Sequence, residues 1–72
     1  MSTQSYSDVD IFRLLNEEGL SSKAEQVCQE AGFNTLQDML DFFEQYNTFT
    51  VIHGCGERTS DELVELCEKY IL

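Results

Sequence analysis

His53, Cys55, Cys28 and Cys67 are the side chains of this sequence with the types that ligate metals or act as nucleophiles. Zinc sites commonly pair such ligands across a gap of at least two residues. His53-x-Cys55 has a gap of one, and Cys28 and Cys67 fall on apolar helical stripes, where cysteine behaves as a small hydrophobe. A reactive thiol needs a favoured thiolate, a base within reach and a group that orients the base. Cys55 lies just ahead of a predicted helix start, which favours a thiolate, but no orienting group accompanies His53. These residues point to no metal, no cofactor and no enzyme.

The second stretch with chemical content is Val51-Ile52-His53-Gly54-Cys55-Gly56-Glu57-Arg58-Thr59-Ser60-Asp61-Glu62-Leu63. Two glycines separated by one residue predict a tight turn with positive φ, or a close approach of backbone to a partner. A helix N-terminus follows, where unpaired N–H groups and the dipole favour an anion. A G-x-G turn opening a helix is the skeleton of a helix-hairpin-helix. The alternative is a turn that only the fold requires, since a motif by itself assigns no function.

Charge weighs against a nucleic-acid partner. Fourteen acids stand against four Lys and Arg, for a net charge of −10 and a pI near 4.1. Nucleic-acid affinity comes largely from cations that displace counterions from phosphates, so DNA should be repelled by the chain as a whole. The acids Glu17-Glu18, Asp38-Asp41-Glu44 and Asp61-Glu62-Glu65-Glu68 read either as solvated helix faces or as a surface that recruits a basic protein. Three cysteines without framework spacing fit a reducing compartment, and no signal or membrane-spanning pattern is present. A cytoplasmic protein, monomeric by default and with no membrane partner, is the expectation.

The elements that must position these residues are helical. The chain has 72 residues, no proline and 42% hydrophobic residues, which suits one small domain burying roughly 60% of its unfolded surface. Residues 1–6 read as a flexible leader and 7–72 as a single helical domain. Four Ser/Thr-x-x-Asp/Glu capping boxes begin at Ser7, Ser22, Thr35 and Thr59. The first helix is predicted from about Asp8 to Glu18, ended by Gly19. The second carries Ala24, Val27, Cys28 and Ala31 at one helical face and stops at Gly32. The third repeats that spacing with Leu36, Met39, Leu40 and Phe43, widened by Phe42 and Tyr46, with Asn47 as its cap. Thr48 to Ile52 reads as an extended or single-turn connector that buries Phe49 and Ile52. Leu63, Leu66, Cys67 and Tyr70 mark the last helix. Phe12, Phe33, Phe42, Phe43 and Phe49 are predicted core. The fold class is all-α, a small orthogonal domain of four or five helices.

Two segments together resemble a known family. Leu20-Ser21-Ser22-Lys23-Ala24-Glu25-Gln26-Val27-Cys28, followed by Gly32-Phe33-Asn34-Thr35-Leu36-Gln37-Asp38-Met39-Leu40, resembles the opening of the C-terminal domain of the bacterial RNA polymerase α subunit. Gly54 to Leu63 is similar to that family's second signature, and the resemblance spans about Leu20 to Leu72. It implies a helix-hairpin-helix that grips the minor groove of promoter DNA through phosphate and backbone contacts and also touches transcription factors. Carried over by position, it implicates Lys23, Gln26, Gly56, Arg58 and Thr59; Gly54 joins them as a candidate contact from the G-x-G turn itself. Lys23 stands where the family uses an arginine, which keeps the charge and loses the planar fork. Glu57 stands where the family typically has a cation.

Two functions follow as expectations. The first is a non-catalytic interaction module that binds a protein partner in a transcription setting. The second is a weak DNA binder acting through Lys23, Gln26, Gly56, Arg58 and Thr59 as one local patch. For Lys23 and Arg58 the bland reading is that they pair with Glu25, Glu57 or Glu62. The net charge places the protein partner first and DNA second.

Overall fold

The computed structural model describes residues 6–71. Among them are four helices: α1 (Ile11–Glu17), α2 (Ser22–Ala31), α3 (Leu36–Tyr46) and α4 (Glu57–Ile71). No strand occurs among the described residues; the one extended pairing is an isolated antiparallel bridge between Asp10 and Thr35. The all-α class is therefore correct, with four helices.

The apolar stripes and stop signals place the helices, while three of the four predicted starts are out of register. The first helix begins at Ile11 rather than Asp8, because its lead-in is paired elsewhere. The Ile11 N–H donates to the Asn34 carbonyl at 3.1 Å and the Leu36 N–H donates to Val9 at 2.9 Å. A backbone held in that bridge is not free to be helical. Asp10 is the cap, its carboxylate accepting from the Phe12 N–H at 3.1 Å. Residues 1–5 of the expected leader lie outside the described residues. Tyr6 is tied to α3, its N–H donating to Gln37 Oε1 at 3.0 Å and its carbonyl accepting from the Gln37 N–H.

Helix α2 is capped by Ser21, one residue before the predicted box, with its hydroxyl accepting from the Ala24 N–H. Ser21 is held extended because the Glu62 carboxylate of α4 accepts from both its N–H and its hydroxyl, at 3.3 and 3.2 Å. Helix α3 opens with the predicted reciprocal box between Thr35 and Asp38 and ends at Asn47, a left-handed residue with φ 59°. Gly32 ends α2 in the same region with φ 80°, turning the buried Phe33 back onto the core.

Helix α4 starts at Glu57, two residues ahead of the predicted Thr59 cap. The Ser60 N–H already bonds to the Gly56 carbonyl at 2.9 Å. Its hydroxyl accepts from the Phe49 N–H at 3.0 Å, so it anchors the connector rather than the helix end. The connector itself is two successive turns, Ile52 N–H to Phe49 and Cys55 N–H to Ile52, and it buries Phe49 and Ile52 as predicted.

Helix α1 packs on α2 and α3, which both pack on α4. Ile11, Leu15, Val27, Leu36, Met39 and Leu63 meet in the centre. At the α3 end the core is aromatic. Phe49, fully buried, stacks on Phe42 and Phe43 with centroids 5.5 and 5.8 Å away. Phe33 is buried beside them, while Phe12, Phe42 and Phe43 are only partly covered. The Cα radius of gyration, 11.3 Å, equals the roughly 11 Å of a compact chain of this length. No helix among the described residues is long and apolar enough to cross a membrane.

Candidate functional site

Helix α2 and the turn before α4 bring three of the six predicted contact residues together. Lys23, Gln26, Val27, Glu30, His53 and Gly54 line one shallow hollow. On α2, Lys23, Gln26 and Glu30 recur every three to four residues, so they share a face, and all three are exposed. Gly54 sits opposite them at φ 84°, a backbone conformation that side-chain-bearing residues rarely adopt.

The other three residues fare differently. Gly56 accepts the first α4 bond and is not in the positive-φ region, so only one of the two glycines is demanded by backbone geometry. Arg58 is exposed in the first turn of α4. Thr59 is a correction: at 7% exposure it faces the core, because the helix starts earlier than the capping pattern implies.

The cations divide cleanly. Arg13 pairs with Glu17 at 3.3 Å and Lys69 with Glu18 at 2.6 Å. Among the described residues, neither Lys23 nor Arg58 forms an ion pair, so the pairing expected with Glu25, Glu57 or Glu62 is not found. Glu62 is instead bonded to Ser21.

A second hollow adjoins the first and shares Glu30 and His53 with it; Ala31, Phe42, Tyr46, Val51 and Ile52 complete its walls. Tyr46 and Val51 are 47% and 60% exposed, two of the three exposed large hydrophobic residues described. Sequence reasoning assigned Phe42 and Tyr46 to the core stripe of α3. No local signal separates the two cases: in an extended connector Val51 would share the face of Phe49, and it is the two turns of the connector that leave Val51 exposed while Phe49 is buried.

Burial sets the state of the thiols. Burial pushes Cys28 and Cys67 up to about 12. Burial also raises Cys55, with Lys23 opposing it, so the favoured thiolate expected there is not found. No group of three His, Cys, Asp or Glu side chains among the described residues is placed to hold a metal ion. A thiol raised in the folded state contributes stability that is complete below its unfolded pKa, roughly 8.5, and is lost as pH rises toward the folded value. Thermal unfolding should therefore show a falling Tm above that pH. At pH 8 Ellman's reagent should label Cys55 first, and Cys28 and Cys67 only as the fold opens. Equal labelling rates for all three would contradict this burial pattern.

Compared with known proteins, the chain matches no protein family, no curated protein and no solved structure.

Proposed function

We propose that this chain is a non-catalytic helical module that binds a protein partner, with transcription as the setting implied by its resemblance to the polymerase α C-terminal domain. The observation that carries this reading is the placement of charge. Fourteen acids face four cations, and two of those cations are neutralised by Glu17 and Glu18. A partner that supplies its own cations turns this field into attraction and faster encounter.

One observation favours weak DNA binding as a second reading. The two cations without ion-pair partners, Lys23 and Arg58, stand at positions the resemblance implicates, and Lys23 shares a hollow with Gln26 and Gly54. Two phosphate contacts release few counterions, with a slope of log K against log salt of only about −2. The acids Glu25, Glu57 and Glu62, close to them in sequence, oppose even those contacts.

The test is capture on the immobilised chain from nuclease-treated extract of the source cells, beside an NMR titration with a short A·T-rich duplex at low salt. A defined protein should survive nuclease treatment, and the duplex should leave Lys23, Gln26, Gly54 and Arg58 unmoved. Duplex-induced shifts at those residues that fade with salt, with no retained protein, would reverse the order.

A further inference from the structure

We propose that the joined hollows between α2, α3 and the connector form a docking groove for a basic amphipathic helix of the partner protein. Its apolar residues would pack on Phe42, Tyr46 and Val51, and one of its cations would lie opposite Glu30. This inference rests on the protein-binding reading and adds the surface and the chemistry of the occupant.

The apolar end is a built floor rather than a loose patch. The Phe42 ring lies 4.5 Å from Tyr46 and 5.5 Å from the fully buried Phe49, and it meets Phe33 edge-on at 5.4 Å. The exposed ring of Tyr46 therefore continues the aromatic stack of the core. Phe42 is held from below, so a ligand side chain meets a surface that needs little ordering. Rigid aromatic groups in such positions are what interface anchors are made from. Val51 projects beside them from a connector pinned by the buried Phe49 and Ile52.

Charge selects among occupants. A second copy of the chain would bring another net −10 to the same surface, so self-association is opposed. DNA shares that sign and has no side chain for an apolar floor. A basic helix satisfies both features, since attraction to the acidic chain steers it and its apolar stripe covers the floor. Glu30 stands where the two hollows meet, two helical turns or roughly 10 Å along α2 from Lys23. Lys23 rejects a cation at its own end. The bound helix accordingly keeps its cations on the Glu30 side and presents a neutral or acidic residue to Lys23, which fixes its direction.

The probe is a synthetic amphipathic helical peptide of about 18 residues with a leucine stripe and lysines flanking it. Two controls accompany it, one with glutamate for lysine and one with serine for leucine. Titrated into the isotopically labelled full chain, the basic peptide should shift Glu30, Ala31, Phe42, Tyr46, Val51 and His53 together. Neither control should. Val51→Asp and Glu30→Lys, both at exposed positions and checked for folding by circular dichroism, should each weaken binding about tenfold or more. Shifts scattered over the acidic faces and insensitive to Val51→Asp would overturn the proposal, as would dimerisation of the chain through this face. The two readings fail differently. If Val51→Asp still retains the captured cellular partner, the groove is wrong and the module reading stands. If no protein is captured at all, the module reading itself falls.

Discussion

Replacing Phe49 by alanine is expected to destabilise the protein by about 3–5 kcal/mol, the range for truncating a buried aromatic residue. A chain of 72 residues has a total stability of roughly 4–11 kcal/mol. One substitution in a segment without regular structure is thus expected to remove a large part of what holds the fold. The reason lies in what the ring touches. Phe49 is fully buried, stacks on Phe42 and Phe43 from α3, and meets Phe33 at 6.3 Å. Its backbone N–H is bonded to Ser60 of α4. The residue therefore joins α3, the end of α2 and α4, and neighbouring rings cannot close the void without leaving their own stacks. Urea unfolding followed by circular dichroism measures the loss. A cost under about 1.5 kcal/mol would mean the core collapses around the vacancy and that the ring is no keystone. Phe12→Ala, on the partly exposed face of α1, should cost distinctly less in the same assay.

The helices were legible because their signals are local. The run Ala24, Val27, Cys28 and Ala31 and the run Leu36, Met39, Leu40 and Phe43 place α2 and α3, and Gly32 and Asn47 end them in the left-handed region. Helix starts were less legible, and the misses share a cause. A serine, threonine or aspartate can cap a helix or bond to something distant, and the neighbouring residues do not say which. Ser21 rather than Ser22 caps α2, with Glu62, 41 residues away, bonded to it. The lead-in to α1 was taken by the bridge to Thr35, which delayed that helix to Ile11 with Asp10 as its cap. Ser60 was taken by Phe49, and with it the expected cap at Thr59 turned inward. The candidate site was half legible. Lys23 and Gln26 could be grouped from the resemblance and Gly54 from the glycine turn, and the three do line one hollow. The apolar groove beside it was not legible, because Phe42 and Tyr46 have the spacing of a core stripe whether or not anything covers them. Only the path of the connector past α3 decides that, and it depends on contacts remote in sequence.

Ser60→Ala is expected to cost about 1–3 kcal/mol, because it leaves the N–H of buried Phe49 without its acceptor. The hydroxyl also lies 3.4 Å from that of Thr48, so the substitution loosens the start of the connector at two points. The sign of this result separates two accounts of the same residue. As a solvent-facing residue in the first turn of a helix opening at Thr59, Ser60 would gain slightly from alanine, the stronger helix former. As the buried anchor seen in the structure, it must lose. Ser22→Ala supplies the control, since Ser22 is exposed and Ser21 makes the capping bond of α2; its effect should stay within about 0.5 kcal/mol. Hydrogen exchange locates the damage. The Phe49 amide should lose protection in Ser60→Ala by more than the amides of Leu63 and Leu66 in the same helix. Uniform loss across α4 with Phe49 unchanged would return the hydroxyl to a role within the helix. Because Phe49 supports Phe42 from below, the same variant should also weaken docking at Val51 and Tyr46 while the helices persist, linking the buried hydroxyl to the surface it holds in place.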